Sequence, residues 1–476
     1  MRLPILALPL LCLAACTSGP NYQGPASAGA PPVPGRFARA GSDADAPAPA
    51  PMAAQWWKAF GDPVLDSLEE QALAANPNVA LAQARVRQAR ASVRTERANA
   101  APSANAQALY VHATVPGVDL GTSDEADSGG SDSQSLNLYN LGFDASWEVD
   151  LWGGKRRGVE AARAQLDAAE ANTADAQVSL SAEVAQAYVN LRDRQQRLVL
   201  ARESAARQRE LLKLTAQRRA QGTASELDLE QQRDTLEQSD AAVLPLDAER
   251  DAYLNALAVL VGQAPGAVDA LLAAPAAVPL PPAQVAVGDP AALIQRRPDV
   301  RAAERQYAAA TAKIGVAQAA RFPSLSFMGL IGIGGTHPED VVDTDNLAAI
   351  AIPRLSWNFL DFGRTAAQVE RARGAQDEAA AQYRGAVLKA LQDCEDALSR
   401  YGARRQTAQS AGRSLATADR STKLVGDRYA AGVATRIQQL QAERQGIAAA
   451  QSLSQANAAM TADYIALQKA LGLGWR

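Results

Sequence analysis

Over 476 residues the chain balances 47 Lys and Arg against 51 Asp and Glu, which removes the electrostatic case for a nucleic-acid partner. Beyond the amino-terminal leader no apolar run reaches the roughly 20 residues that a bilayer-spanning helix needs, so any crossing of a membrane must use strands. Two histidines and three cysteines, none paired at metal-ligand spacing, and the lack of a Gly-x-x-x-x-Gly-Lys-Ser/Thr loop give no support to a metal centre or a nucleotide engine.

Met1-Arg2 is a short basic start, and Leu3 to Leu13 is an uncharged apolar run of signal-peptide length. It ends Leu13-Ala14-Ala15-Cys16, which resembles the bacterial lipobox, where the cysteine is lipidated and the chain is cut just before it. Residues 1–15 are therefore expected to leave, with a covalent lipid on Cys16 as the only added group. Thr17 is not the aspartate associated with inner-membrane retention, so the resemblance implies the outer membrane. Cys12 departs with the leader, which leaves Cys394 nothing to pair with and excludes a disulfide framework. In its helical stretch Cys394 is expected to be a small buried hydrophobe. Residues 16–53, dense in Ala, Pro and Gly from Asn21 on, read as a lipidated tether.

The rest of the chain is a duplication. Adding 210 carries Trp147 to Trp357, Gly153 to Gly363, Arg218 to Arg428, Gly222 to Gly432 and Gly262 to Gly472. Upstream the offset is 221, taking Pro77 to Pro298, Ala91 to Ala312, Pro102 to Pro323 and Ser103 to Ser324. A period this long means two copies of one large unit: residues 54–262 and 290–476, joined by a linker at 263–289. The difference of eleven falls between the strands of each copy, where length changes settle in exposed loop tips.

In each copy the expected elements run strand, strand, long helix, helical hairpin. Tyr139, Leu141, Phe143, Ala145, Trp147, Val149 and Leu151 alternate with polar residues, a period of two. The strands are expected at about 104–115 and 136–151, then at about 324–334 and 347–359. In the first, Leu109, Val111, Ala113 and Val115 hold one face; in the last, Ile350 and Ile352 share a face with Arg354 and Ser356, and Pro353 costs a ladder bond. From Lys155 to Gln221 there is no proline and strong helix formers dominate, predicting one helix on the order of 100 Å long. Val159, Ala162, Leu166, Ala169, Thr173, Ala176 and Leu180, repeated at Val369, Ala372, Gln376, Ala379, Tyr383, Ala386 and Ala390, form a coiled-coil seam. Tips fall at Gly222 and Gly432, and Pro245 should kink only the first return helix, since its counterpart is Gln455. Alternating strands with polar loops fit a membrane β-barrel, yet four strands cannot close one when the smallest have eight. The barrel must be shared between chains.

Duplicated units of this kind behind a lipobox resemble the outer membrane factors, the TolC and OprM type of exit duct. The resemblance rests on Cys16-Thr17-Ser18-Gly19-Pro20-Asn21-Tyr22, Arg297-Pro298-Asp299-Val300, Ile314-Gly315 with Phe322-Pro323, Trp357 with Asp361-Phe362-Gly363, and the two glycine tips. It implies a mixed α and β membrane protein: a homotrimer whose twelve-stranded barrel in the outer membrane joins a periplasmic α-helical barrel. It further implies a passive, non-enzymatic duct for small molecules such as drugs, docking through its tips to a periplasmic adaptor and an inner-membrane pump. A duct for protein or peptide secretion and a non-transporting coiled-coil surface lipoprotein are the alternatives. Gly222 and Gly432 mark the docking tips, and Asp228, Arg436, Gln438 and Gln441 are the candidate aperture residues, with Asp228 and Arg436 expected to pair across neighbouring hairpins.

Overall fold

The computed structural model describes residues 17–25, 29, 32–39, 54–116, 133–285 and 287–475. Cys16, its leader, most of the tether and the loop at 117–132 lie outside the described residues. In chain order the elements are α1 (Pro63–Ala75), α2 (Pro77–Ala98), β1 (Ser103–Pro116), β2 (Ser133–Val149), α3 (Gly154–Ala220), α4 (Glu226–Ala241), α5 (Val243–Leu260), the single turn α6 (Asp269–Leu272), α7 (Pro290–Arg296), α8 (Pro298–Ala319), β3 (Ser324–Gly335), β4 (Leu347–Ser356), α9 (Arg364–Ala430) and α10 (Arg436–Ala470). They form two compact units, one from Met1–Gly29, Arg87–Asp167 and Glu304–Gln382, the other from Ala30–Val86, Ala168–Ala303 and Tyr383–Arg476.

The first unit holds one antiparallel sheet in the order β1-β2-β3-β4. β2 stops at Val149 rather than near 151 because Asp150 is spent on the helix that follows: its carboxylate accepts the backbone N–H of Lys155 (3.1 Å) and Arg156 (3.0 Å). Asp361 does the same for α9, accepting from Gly363 (3.0 Å) and Thr365 (2.8 Å), so β4 ends at Ser356. Those donors, with the Thr365 hydroxyl first among them, hold the Asp361 carboxyl below its ordinary range.

Register decides which face of β1 goes with which face of β2. Tyr110 sits opposite Tyr139, and Leu109 opposite Asn140. The even-numbered residues of β1 therefore share the apolar face of Tyr139, Phe143 and Trp147, and Leu109 and Val111 lie on the face of Asn140 and Asp144. The ring centres of Tyr110 and Tyr139 lie 4.8 Å apart at a tilt of 32°, a cross-strand aromatic pair that aliphatics at 109 and 111 cannot match. The apolar face is solvent-exposed along all four strands, with Tyr110, Leu141, Phe143, Phe327 and Ile331 each more than two-fifths accessible.

The two long helices, α3 and α9, have 67 residues each and begin and end at equivalent positions of the duplication. Along α9 the expected seam is found, with Val369, Ala379, Tyr383 and Ala390 buried. Along α3 Ala162 and Leu180 of the expected seam are buried, beside a second stripe of Ala161, Ala164, Ala168, Ala171, Ala174 and Val178 that is buried as well. α4 and α5 are one return path broken at Ala242. Pro245 lacks an N–H and its ring crowds the carbonyl of Ala241 four residues back, whereas α10, with glutamine at the equivalent place, runs 35 residues unbroken.

In the second unit Trp57, Leu65, Leu68, Tyr188, Leu191, Leu257, Ile465 and Leu467 are fully buried in one core. Asp62 caps α1 through Val64 N–H (2.9 Å) and takes the Tyr188 hydroxyl (2.6 Å). The linker is fastened rather than loose, since Gln195 donates to the Leu272 carbonyl (2.6 Å), Arg192 to Ala274 (2.8 Å) and Thr461 to Pro279 (2.9 Å). Cys394 is buried, donates to the Ala470 carbonyl (3.2 Å), and has its thiol pushed up to about 12 by that burial.

Candidate functional site

Both tips are built alike. Gly222 at φ +71° and Gly432 at φ +73° adopt the left-handed conformation. This lets Gly222 and Thr223 donate back to Arg219 (2.9 Å) and Arg218 (2.8 Å), and Gly432 and Val433 to Tyr429 and Arg428 (both 2.9 Å), the paired bonds that satisfy a helix C-terminus. A Cβ at either glycine would meet no atom within 4 Å, so the demand for glycine is conformational, not steric.

Each return helix opens with a reciprocal cap. Ser225 Oγ accepts the Asp228 N–H (3.0 Å) while the Asp228 carboxylate accepts the Ser225 N–H (2.9 Å). Thr435 and Gln438 do the same at 3.2 and 2.9 Å. The Ser225 backbone and hydroxyl hold the Asp228 carboxyl below its ordinary range. Asp228 and Gln438 occupy equivalent positions of the duplication, and Ser-x-x-Asp with Thr-x-x-Gln is a capping signature that was readable in the sequence.

Within the protomer Asp228 and Arg436 have other partners. Asp228 is spent on its cap, and the Arg436 guanidinium grips Glu210 of α3 with both arms, at 2.9 and 3.0 Å. Arg436 also reaches Glu443 (3.3 Å), which pairs in turn with Arg207 (2.7 Å). This chain of alternating charges ties the second copy's return helix to the first copy's long helix. The Arg436 hydrogen bond lowers the Glu210 carboxyl's pKa, and its partners raise that of Arg436. Gln441 is exposed. Sequence reasoning missed Glu210 because nothing local distinguishes it on a long charged helix. Beside the second tip, Leu424, Val425, Ala431 and Val433 line an open groove of ≈ 720 Å³ rimmed by Arg420, Asp427 and Arg428, with Leu424 and Val433 about two-thirds exposed.

In the strand unit the segment after position 16 is held down firmly. Ser18 N–H donates to the Trp152 carbonyl (2.9 Å), and Arg157 donates to the carbonyls of Ser18 (3.2 Å) and Gly19 (3.4 Å) and to the Asn21 side chain. Tyr22 donates to Glu304, meets Tyr307 edge-on at 5.7 Å, and has the Arg305 guanidinium 5.4 Å from its ring centre. Gly19 and Gly315 face each other so closely that a Cβ on Gly19 would stand 2.4 Å from the Gly315 Cα.

The family model described as outer membrane efflux protein matches residues 68–263 and 290–473, one block per copy. The chain belongs to the outer membrane efflux protein family. It is 32% identical to the pyoverdine export outer membrane protein OpmQ of Pseudomonas aeruginosa over 98% of this chain and 95% of that one. It is 30% identical to nodulation protein T of Rhizobium leguminosarum bv. trifolii, over 98% and 96% respectively. Among solved structures it superposes on the outer-membrane channel OprN with a TM-score of 0.85 at 32% identity, covering 97% of this chain and all of that one. The open-state MtrE channel of Neisseria gonorrhoeae gives 0.78 at 26% identity, covering 96% and 98%. As an outer membrane efflux protein the chain is a passive channel of the outer membrane with a periplasmic helical extension, and not an enzyme.

Proposed function

We propose that three copies of this outer membrane efflux protein close a twelve-stranded barrel, and that the capped tips dock a periplasmic adaptor which couples the duct to an inner-membrane pump. The observation that carries the reading is the sheet itself: four strands, an apolar face open along its whole length, and two free edges, too few strands to span a membrane alone. Small molecules are the cargo this reading favours over proteins or peptides. Relatives carry the names pyoverdine export, toluene efflux and cation efflux. The exposed groove at Leu424 and Val433 is the proposed adaptor contact, and the Arg436–Glu210–Glu443–Arg207 network the proposed latch of the aperture. Conductance in planar bilayers together with drug-susceptibility complementation tests the function. A protein that inserts yet never conducts would return the surface-lipoprotein alternative, and loss of peptide export instead of drug resistance would return the secretion one.

The latch makes a separate prediction. Glu210→Ala with Arg436→Ala is expected to raise single-channel conductance severalfold and to sensitise cells to large antibiotics, whereas Asp228→Ala, which removes only a helix cap, leaves conductance as it was. Equal conductance in all variants, with trimer yield normal, removes the network from the gate.

The strap at Thr17–Tyr22 supports a lipid anchor at Cys16. Intact mass spectrometry is expected to find a mature chain beginning at Cys16 with a diacylglyceryl thioether and an amide-linked acyl chain. Cys16→Ser should still yield assembled barrel, because strands do the spanning and the anchor only adds affinity. A mature terminus elsewhere ends the anchor reading.

A further inference from the structure

The unpaired edges β1 and β4 are left open in one chain, and the duplication specifies how they meet. The first hairpin pairs Ser103 with Ser146 and runs without a bulge to Pro116 with Ser133. Moved by the two offsets, 221 and 210, Ser103 with Ser146 becomes Ser324 with Ser356, which is the register of the second hairpin. Side chains follow the same rule: the Trp147 indole donates to the Ala100 carbonyl at 3.1 Å, and its counterpart Trp357 donates to Arg321 at 3.1 Å. The offsets thus carry strand register between copies without slip.

The remaining junction inside the chain is β2 against β3, which pairs Trp147 with Phe327, Ala145 with Gly329 and Gly142 with Gly332. The same offsets turn it into a junction that no single chain contains. β4 then lies against β1 of a second copy with Trp357 opposite Ala106, Leu355 opposite Ala108 and Ile352 opposite Val111. Face parity agrees independently. The apolar face takes even-numbered residues from β1 but odd-numbered residues from β2, β3 and β4. Closure must therefore pair odd with even, as Leu355 with Ala108 does, and a slip of one residue would turn every side chain of the joining strand to the wrong face.

A second observation points to the same neighbour. At the end of β2, Trp152 stacks on Phe322 at 4.7 Å and donates to the Pro323 carbonyl at 2.7 Å. The offsets map this contact onto Phe362 over Ala101 and Pro102. In the chain Phe362 is 91% exposed and is the one described non-glycine residue at positive φ, +51°, a strained and uncovered placement for a large apolar ring. We propose that β4 of one copy pairs antiparallel with β1 of the next in this register, seating Phe362 on Ala101 and Pro102 of that copy. The proposal rests on the shared-barrel reading above and adds to it one register out of several that would close the same ring.

Cysteine pairs test it in outer membranes of cells expressing the full chain. Leu355→Cys is combined with Ala108→Cys, and Ile352→Cys with Val111→Cys. These two pairs lie three residues apart along β4, so one is a hydrogen-bonded pair and the other is not, with Cα separations of about 5.5 and 4.5 Å, both within disulfide reach. Oxidation is expected to give covalently linked dimers and trimers from both. The two-residue slips, Leu355→Cys with Ala106→Cys or Tyr110→Cys and Ile352→Cys with Leu109→Cys or Ala113→Cys, should stay unlinked. Linking by a slip pair in place of these overturns the register. No linking by any pair, in a protein whose native mass is three chains, overturns the β4–β1 junction, whereas a native mass of one chain overturns the barrel reading itself. Phe362→Ala is expected to lower the temperature at which the trimer dissociates in detergent, and an unchanged dissociation temperature overturns the seat assigned to that ring.

Discussion

Arg297→Ala is expected to destabilise the helical unit by about 3 kcal/mol, near the lower end of what removing one partner from a buried ion pair costs. The residue is only 8% exposed. Its Nε and Nη2 donate to Asp299 at 3.0 and 2.7 Å, and Nη2 also approaches Asp393 at 3.4 Å. Its remaining arm donates to the carbonyl of Ala470 (2.9 Å), the last residue of α10, where the helix itself offers no partner. Alanine would leave that carbonyl to the weak Cys394 thiol alone. The estimate stays low because Asp299 and Asp393 are each about one-third accessible and regain solvent when the arginine is gone. The duplication supplies the control: the equivalent of Arg297 is Asn76, whose side-chain amide donates to the Leu260 carbonyl, the equivalent of Ala470, at 2.8 Å. Arg297→Asn should therefore recover part of the loss. Thermal unfolding followed by circular dichroism decides it, and an alanine variant within about 0.5 kcal/mol of the parent, the range of an ordinary surface substitution, would show that the arginine is dispensable.

What the sequence made legible follows from what a single chain encodes locally. Long helices were legible because 67-residue runs without proline leave few alternatives, and the tips because a glycine after each run stops a helix in a known way. Pro245 announced its break through its missing N–H. The offsets of the duplication were also legible, and they carry more than the strands' existence: they carry register. By contrast the face of β1 that joins Phe143 was not legible, since Leu109 and Val111 look apolar in isolation and only the cross-strand pairing of Tyr110 with Tyr139 shows which set faces with Phe143. The seam of α3 was legible only in part, because alanine buries little area per residue and a neighbouring stripe of alanines is buried beside it. Arg436's partner was out of reach for a different reason. Glu210 lies 226 residues away in sequence, and no local pattern singles it out among the acids of α3. Asp228, conversely, has a local role that was readable, since Ser225 three residues back is its capping partner.

Glu69 gives the largest expected pH effect, and its sign follows from burial. The side chain is fully buried on α1, and neither carboxyl oxygen has a hydrogen-bond partner of good geometry. Burial is the main cause that pushes its pKa well above the ordinary carboxylate range, the negative charge of Asp66 adds to it, and the Ala185 backbone offsets only a little. Folded Glu69 therefore keeps its proton at pH values where the unfolded chain, near the ordinary value of about 4.3, has lost it. The stability this contributes is fully present below the unfolded pKa and falls as pH rises through the folded one, at about 1.4 kcal/mol for each unit of separation. This runs opposite to a salt-bridged carboxylate, which stabilises on the alkaline side. Glu69→Gln keeps the shape and removes the titration, so its unfolding midpoint should be flat across the mildly acidic to neutral range in which the parent declines, with the two chains closest at the acid end. Asp66→Asn should make the parent's decline smaller and end it at lower pH without abolishing it, because repulsion from Asp66 is the second cause of the raised folded pKa and burial the first. Parallel pH profiles for the parent and the glutamine variant would mean that Glu69 is charged and compensated in the folded protein, and that its burial costs nothing at neutral pH.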